Sequence, residues 1–286
     1  MVSLLSIGLR WGMQLLALVF LFYFSASTNS EGLRINQTFT PGELWWDNEG
    51  THINAHGGGI LYHDHTYYWF GEHKTAGRGG NTALVGVQVY ASRDLLNWSN
   101  EGVALSVVDE AGHDIERGAV IERPKVVYNE STGKFVMWFH LELKGQGYIA
   151  ARAGVAVAEE VTGPYTFIES LRPNAQHWPV NMDADFKNQD VDLDQYEWWT
   201  PRWRKAVDEG LFVRRDFEGG QMSRDMTVFV DDDGKAYHVF SSEENLTIHI
   251  AELSDDYLSH TGRYIRIFPG GHNEAPALFK HEADII

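Results

Sequence analysis

Three times along the chain a tight turn feeds a strand rich in aromatic residues, and each time a second, β-branched strand follows. The first strands lie in His63–Phe70 (HDHTYYWF), Thr132–Phe139 (TGKFVMWF) and Asp233–Phe240 (DGKAYHVF). The second lie in Gly86–Tyr90 (GVQVY), Gly154–Ala158 (GVAVA) and Thr247–Ala251 (TIHIA). Val87 and Val89, Val155 and Val157, and Ile248 and Ile250 alternate with period two, the spacing that places side chains on one face of a strand. Each unit then offers a turn, in Ser92–Trp98, Val161–Tyr165 and Ser254–Leu258. Repeated antiparallel sheets with this grammar predict an all-β chain, a β-propeller whose blades take roughly 40–50 residues each. A β-sandwich is the rival, but it does not require the same strand–turn–strand order three times.

A fourth unit opens at Glu274–Lys280 (EAPALFK), where His281–Ile286 (HEADII) stands in place of the next turn and aromatic strand. About three blades and the start of a fourth leave sheet edges unpaired. The expectation is therefore a propeller that stops before its ring closes, poorly soluble and inactive when expressed as residues 28–286. Between the second and third units, residues 172–220 form an insertion carrying Trp178, Trp198, Trp199 and Trp203, with one helix expected over Pro201–Gly210. A loop this long is either functional, its tryptophans lining a binding cleft, or a self-packed excursion with tryptophan as its small core.

Composition narrows the partners. The formal net charge of -17 opposes nucleic acid or an anionic membrane surface as the main partner, since both require a cationic face. The absence of cysteine excludes disulfides, thiolate metal sites and cysteine nucleophiles. Arg10, the apolar run Met13–Phe24 and the small residues Ser25, Ala26 and Ser27 describe a signal peptide over residues 1–27. The apolar run is short for a bilayer, which needs about 20 residues. The domain at 28–286 is thus expected to be secreted, periplasmic or on the cell surface, with no stable membrane insertion once the leader is removed.

Three acidic motifs precede the repeated strands: Ile121–Val126 (IERPKV), Ser223–Thr227 (SRDMT) and Asn273–Pro276 (NEAP). Glycoside hydrolysis needs carboxyl groups of opposed protonation state around an oxocarbenium-like centre, so acids converging on one cleft are what that chemistry requires. Singly, each is more often a cap or an ion-pair partner. Asp231, Asp232 and Asp233 read as a solvated turn, not a metal site. No metal or cofactor is expected.

The chain resembles glycoside hydrolase family 43, in particular its exo-β-1,3-galactanase branch. The matching residues are Ile53–Leu61 (INAHGGGIL), Tyr67–Glu72 (YYWFGE), Glu122–Val126 (ERPKV), Arg224–Thr227 (RDMT) with the DDDG turn, Ser241–Glu243 (SSE) and Glu274–Ala277 (EAPA). The resemblance covers about residues 45 to 280. It implies a five-bladed propeller, inverting chemistry and an oligo- or polysaccharide substrate. By the same resemblance Glu274 is the general acid, Asp225 the partner that keeps that acid protonated and orients it, and Glu122 a residue near the reacting carbon. Glu72 matches a sugar-contacting glutamate, Arg123 is a cleft residue, and His56 and Glu243 are cleft residues with a structural role as the equal alternative for each. The family's usual aspartate base is missing, because His56-Gly57-Gly58-Gly59 occupies its place. The galactanase branch shares that departure and draws on a glutamine late in the sequence, which would fall beyond Ile286.

Within this chemistry, exo-cleavage of β-1,3-galactan or arabinogalactan side chains leads. An α-L-arabinofuranosidase or β-xylosidase is the alternative. A sugar-binding propeller without turnover is the reading from a different class.

Overall fold

A computed structural model describes residues 35–282 and the backbone of residues 284 and 285. The leader read at residues 1–27 lies outside the described residues. The structure is all-β with a few short helices, and three four-stranded sheets dominate it. The first holds β1 (His56–His63), β2 (Thr66–His73), β3 (Gly86–Ser92) and β4 (Ser99–Ser106). The second holds β5 (Val120–Asn129), β6 (Lys134–Glu142), β7 (Arg152–Ala158) and β8 (Thr166–Leu171). The third holds β9 (Met226–Val230), β10 (Ala236–Ser242), β11 (Thr247–Leu253) and β12 (His260–Ile267). In each sheet strands pair antiparallel in chain order, the arrangement that short turns between neighbours produce. The aromatic and β-branched runs of the sequence form the two inner strands of every sheet.

Strand β6 shows how period two builds the core. Phe135, Met137, Phe139 and Leu141 face a cluster with Phe70, Val87 and Val89 of the first sheet. Val136 and Trp138 face the opposite way, into a cluster with Met226, Phe240 and Tyr264 of the third. A strand buried on both faces reads as a near-continuous apolar run, and this one does. Trp138 also donates its indole N–H to the Tyr257 carbonyl at 2.8 Å, tying the second sheet to the β11–β12 turn.

Between β8 and β9 lie α1 (Ala184–Lys187), a 3-10 turn (Leu193–Gln195), α2 (Pro201–Asp208) and α3 (Leu211–Arg215). Helix α2 starts as its sequence dictates. Pro201 sits in its first turn, and the Thr200 hydroxyl accepts from the Trp203 N–H at 3.3 Å. Trp203, Val207 and Phe212 pack with Leu246 from the β10–β11 turn. After β12 the segment 274–279 is not a strand, and only a two-residue hairpin follows, β13 (Lys280–His281) with β14 (Asp284–Ile285). The DDDG turn is not simply solvated: Lys280 Nζ reaches Asp231 Oδ1 at 2.8 Å and Asp232 Oδ2 at 2.6 Å. Among the described residues no helix is long and apolar enough to cross a membrane.

Candidate active site

Two strand irregularities shape the site. The β1–β2 register slips between His56 and Gly59, and the β5–β6 register slips between Glu122 and Lys125. Bulges re-aim side chains, and these turn His56, Glu122 and Arg123 toward a common cleft. The glycine triplet is a steric necessity. A Cβ on Gly58 would sit 1.7 Å from the Phe70 carbonyl oxygen, and one on Gly57, at φ +58°, would lie 2.7 Å from Glu72 Oε1. Lys125 Nζ donates to the Gly58 carbonyl and holds that strand in place. Burial, aided by the Arg123 charge, pulls the Lys125 ammonium down to about 8.

The cleft encloses about 370 Å³. Six of the seven residues named from sequence line it: His56, Glu72, Glu122, Arg123, Asp225 and Glu274. The Arg123 guanidinium grips Asp225 in a two-pronged pair, Nε to Oδ1 at 3.1 Å and Nη2 to Oδ2 at 2.9 Å. Asp225 Oδ2 also accepts the Ala275 N–H at 3.0 Å, which fixes the backbone beside Glu274. Glu274 itself is exposed, and its Oε1 accepts from the Asn245 side chain at 3.0 Å. Glu72 is buried: it pairs with Lys74, has His56 Nδ1 at 3.6 Å from its Oε2, and accepts the Arg123 N–H at 3.3 Å on Oε1. Arg123, Asn245 and Ala275 all adopt left-handed backbone conformations, at φ 55°, 63° and 48°. Such strain gathers where surrounding structure must aim groups at a ligand.

The sequence reading missed a second tier. His140 is buried at the floor of the cleft, its Nδ1 3.2 Å from Glu122 Oε2 and its Nε2 2.8 Å from Glu142 Oε1. Burial alone would push this imidazole down, but the two carboxylates outweigh it and raise it above the ordinary histidine range. Burial likewise pushes the Glu122 carboxyl up, and the His140 ring together with the Tyr148 hydroxyl outweighs that and holds Glu122 below the usual carboxylate range. Tyr148 donates to Glu122 Oε1 at 2.9 Å and accepts from Asn81 at 2.5 Å. Desolvation and the Glu122 charge push the tyrosine hydroxyl up to about 12, so it stays a donor. His140 could have been found, since it continues the aromatic run of β6 at the next even position. Tyr148 lies in an irregular loop with no periodic signal.

Glu243 does not join them. It follows β10, is fully buried, and is paired with Arg266 and His249. Its placement among substrate-contacting residues gives way to a structural one, because Arg266 on β12 takes its charge below the surface.

Glu122, His140 and Asp225 present ligand atoms within 4.8 Å of one another, the one group among the described residues spaced to hold a cation. The fit is poor, since the Arg123 guanidinium already occupies Asp225 and competes with any metal for that carboxylate.

Known structures place this cleft in a family. A GH43 β-1,3-galactosidase, BT3683, solved with galactodeoxynojirimycin, is 61% identical, with a TM-score of 0.82 over 84% of this chain and 70% of that one. The chain belongs to glycoside hydrolase family 43. A second GH43 β-1,3-galactosidase, BT0265, is 38% identical with a TM-score of 0.66, covering 86% of this chain and 42% of its own. The exo-β-1,3-galactanase 1,3Gal43A from Clostridium thermocellum is 36% identical with a TM-score of 0.64, covering 88% and 44%. This chain therefore spans less than half the length of those two family 43 enzymes. No family model and no curated protein matches it.

Proposed function

We propose that this chain is an exo-acting, inverting glycosidase of β-1,3-galactan, its three sheets being consecutive blades of the five-bladed propeller that the resemblance implies. The observation that carries the reading is the 61% identity to a β-1,3-galactosidase over 84% of the chain. The cleft supplies compatible chemistry. Glu274, exposed and aimed by Asn245 and by the Asp225–Ala275 hydrogen bond, is the general acid that protonates the leaving glycosidic oxygen. Asp225 positions it, while Arg123 balances the Asp225 charge. Glu122 stays ionised because His140 and Tyr148 favour its charged form. As a carboxylate it stabilises positive charge at the reacting carbon, holds the attacking water and can take up that water's proton. His56 and Glu72 line the subsite wall. The leader at residues 1–27 would export such an enzyme to meet its polymer.

Incubation with β-1,3-galacto-oligosaccharides should release galactose from the non-reducing end. Glu274→Gln should reduce that rate about 10²–10⁴-fold while galactotriose binding, read by calorimetry, persists. Hydrolysis of an aryl arabinofuranoside with galacto-oligosaccharides left untouched would sink the galactan reading.

A further inference from the structure

Three tryptophans cluster in the insertion and are treated differently by the fold. Trp203 is 1% exposed and fills the core of α2 and α3, whereas Trp198 and Trp199 remain 48% and 46% exposed. Trp198 stacks one face on Trp203, with ring centroids 5.2 Å apart and planes at 30°. Trp199 adopts φ 70°, a conformation that a bulky side chain enters only against steric cost. That backbone presents its ring to His272, stacked at 5.1 Å and 27°. From His272 the path to the catalytic carboxyl is short. Asn273 donates its N–H to the Asn245 carbonyl at 2.8 Å, and Asn245 in turn donates its side-chain amide to Glu274 Oε1 at 3.0 Å.

We propose that Trp198 and Trp199 form a sugar-stacking platform for galactose residues on the leaving-group side of the cleaved bond. The proposal rests on the β-1,3-galactan reading above and adds the subsite to it. A general acid faces the oxygen that departs, so the surface continuing from Glu274 receives the leaving part of the substrate. In an exo-acting enzyme that part is all the rest of the polymer. A pyranose ring offers a face of C–H groups carrying partial positive charge, and an indole offers a π face of the opposite sign. Trp198 also touches Phe212, and Trp199 also touches Trp203 and the Arg204 guanidinium, yet both indoles stay half exposed, with Trp199 on a strained backbone and linked through His272 to the segment that carries the acid. The platform is fixed rather than loose, because Arg266 binds the carbonyls of Val207 and Asp208 at the end of α2 at 2.8 and 3.0 Å.

The test is isothermal titration of the full chain carrying Glu274→Gln, which removes turnover and serves as the wild-type reference for the platform, with β-1,3-galactobiose, -triose and -tetraose, on that reference and with Trp198→Ala, Trp199→Ala or Trp199→Phe added to it. Wild-type affinity should rise with oligosaccharide length. In either alanine variant the gain from biose to tetraose should shrink on the order of tenfold, and Trp199→Phe should keep most of it. Melting curves identify any variant that has lost its fold, and Trp199→Phe with Trp198→Ala then carry the comparison. A length-dependent gain of wild-type size in Trp198→Ala and Trp199→Ala overturns the platform, as does an equal loss for biose and tetraose. A wild type that binds no galacto-oligosaccharide at any length has a different signature, and it removes the galactan reading and the platform together.

Discussion

In the second sheet Glu142 ends β6, with its Oε1 2.8 Å from His140 Nε2; in the third, Glu243 follows β10, with its Oε1 2.8 Å from His249 Nε2. All four side chains are buried. The two histidines nonetheless move in opposite directions. His140 faces a second carboxylate, Glu122, and the two together raise it despite burial. At His249 burial dominates and the ring is pushed down, while Arg266 competes for Glu243, the carboxylate the ring is bonded to. The Arg266 guanidinium takes Glu243 with two bonds, at 2.6 and 2.8 Å, and reaches on to the end of α2. One pair therefore lends charge to the cleft, and the other locks the insertion to the third sheet. The deciding group in each case is the third partner, delivered by a different strand.

Among single substitutions at neutral pH, the largest expected effect comes from breaking the lock. Glu243→Ala leaves the Arg266 guanidinium buried and unpaired, which should cost about 3–5 kcal/mol of stability in chemical denaturation. A loss below about 1 kcal/mol would mean that Arg266 finds its partners elsewhere. Glu142→Gln should cost about 1–3 kcal/mol, since a buried group loses a charged partner while the shape is kept. The sign with pH is set by the raised His140: its contribution is fully present below its unfolded value of 6.5 and is lost as pH rises through the folded one. The gap between Glu142→Gln and wild type should hence be widest below pH 6.5, and NMR should show the His140 titration moving down.

A third buried pair provides the opposite sign. His238 Nδ1 lies 3.0 Å from His260 Nε2 against the face of Trp138, and burial pushes His238 well down and His260 to about 3. Both remain neutral in the fold, so the unfolded chain binds more protons below 6.5. Stability is fully present above that value and should be lost as pH falls below it, by up to about 1.4 kcal/mol per pH unit for each ring that stays neutral. Melting temperatures between pH 6.5 and 4 check this, and His260→Gln should flatten the slope. The smallest effect is at the cleft: Tyr148→Phe removes a donor to Glu122, at about 0.5–1.5 kcal/mol near neutral pH. That difference should vanish as pH falls and Glu122 takes its proton. A variant whose Glu122 titration stays where the wild type has it would remove Tyr148 from the account of that carboxylate.

How much of this was legible follows from the same comparison. Glu122, Asp225 and Glu274 stand in short acidic motifs and Glu72 in a stretch that resembles family 43, and the structure brings all four to one cleft. Glu243 stays open between a cleft role and a structural one at the level of sequence. Its Ser-Ser-Glu sequence ends an aromatic strand just as Phe-Gly-Glu72 does, and only Arg266, placed opposite His249 by the β11–β12 register, separates the two cases. The insertion was equally ambiguous, since a tryptophan that packs and one that faces a ligand have the same residue type. The fold uses Trp203 for the first and leaves Trp198 and Trp199 half exposed.

The sequence by itself determined the inner strands of the three sheets, the turns that feed them, and the family; the steric need for glycine at the mouth of the cleft came from the structure. Period-two patterning, turn chemistry and motif order are properties of neighbours along the chain. The tertiary structure alone decided which carboxylate is held low, which histidine is raised and which is lowered, and which indoles remain open. Those outcomes depend on desolvation and on partners such as His140, Tyr148 and Arg266, whose approach is set by bulges, strand register and the packing of one sheet against the next.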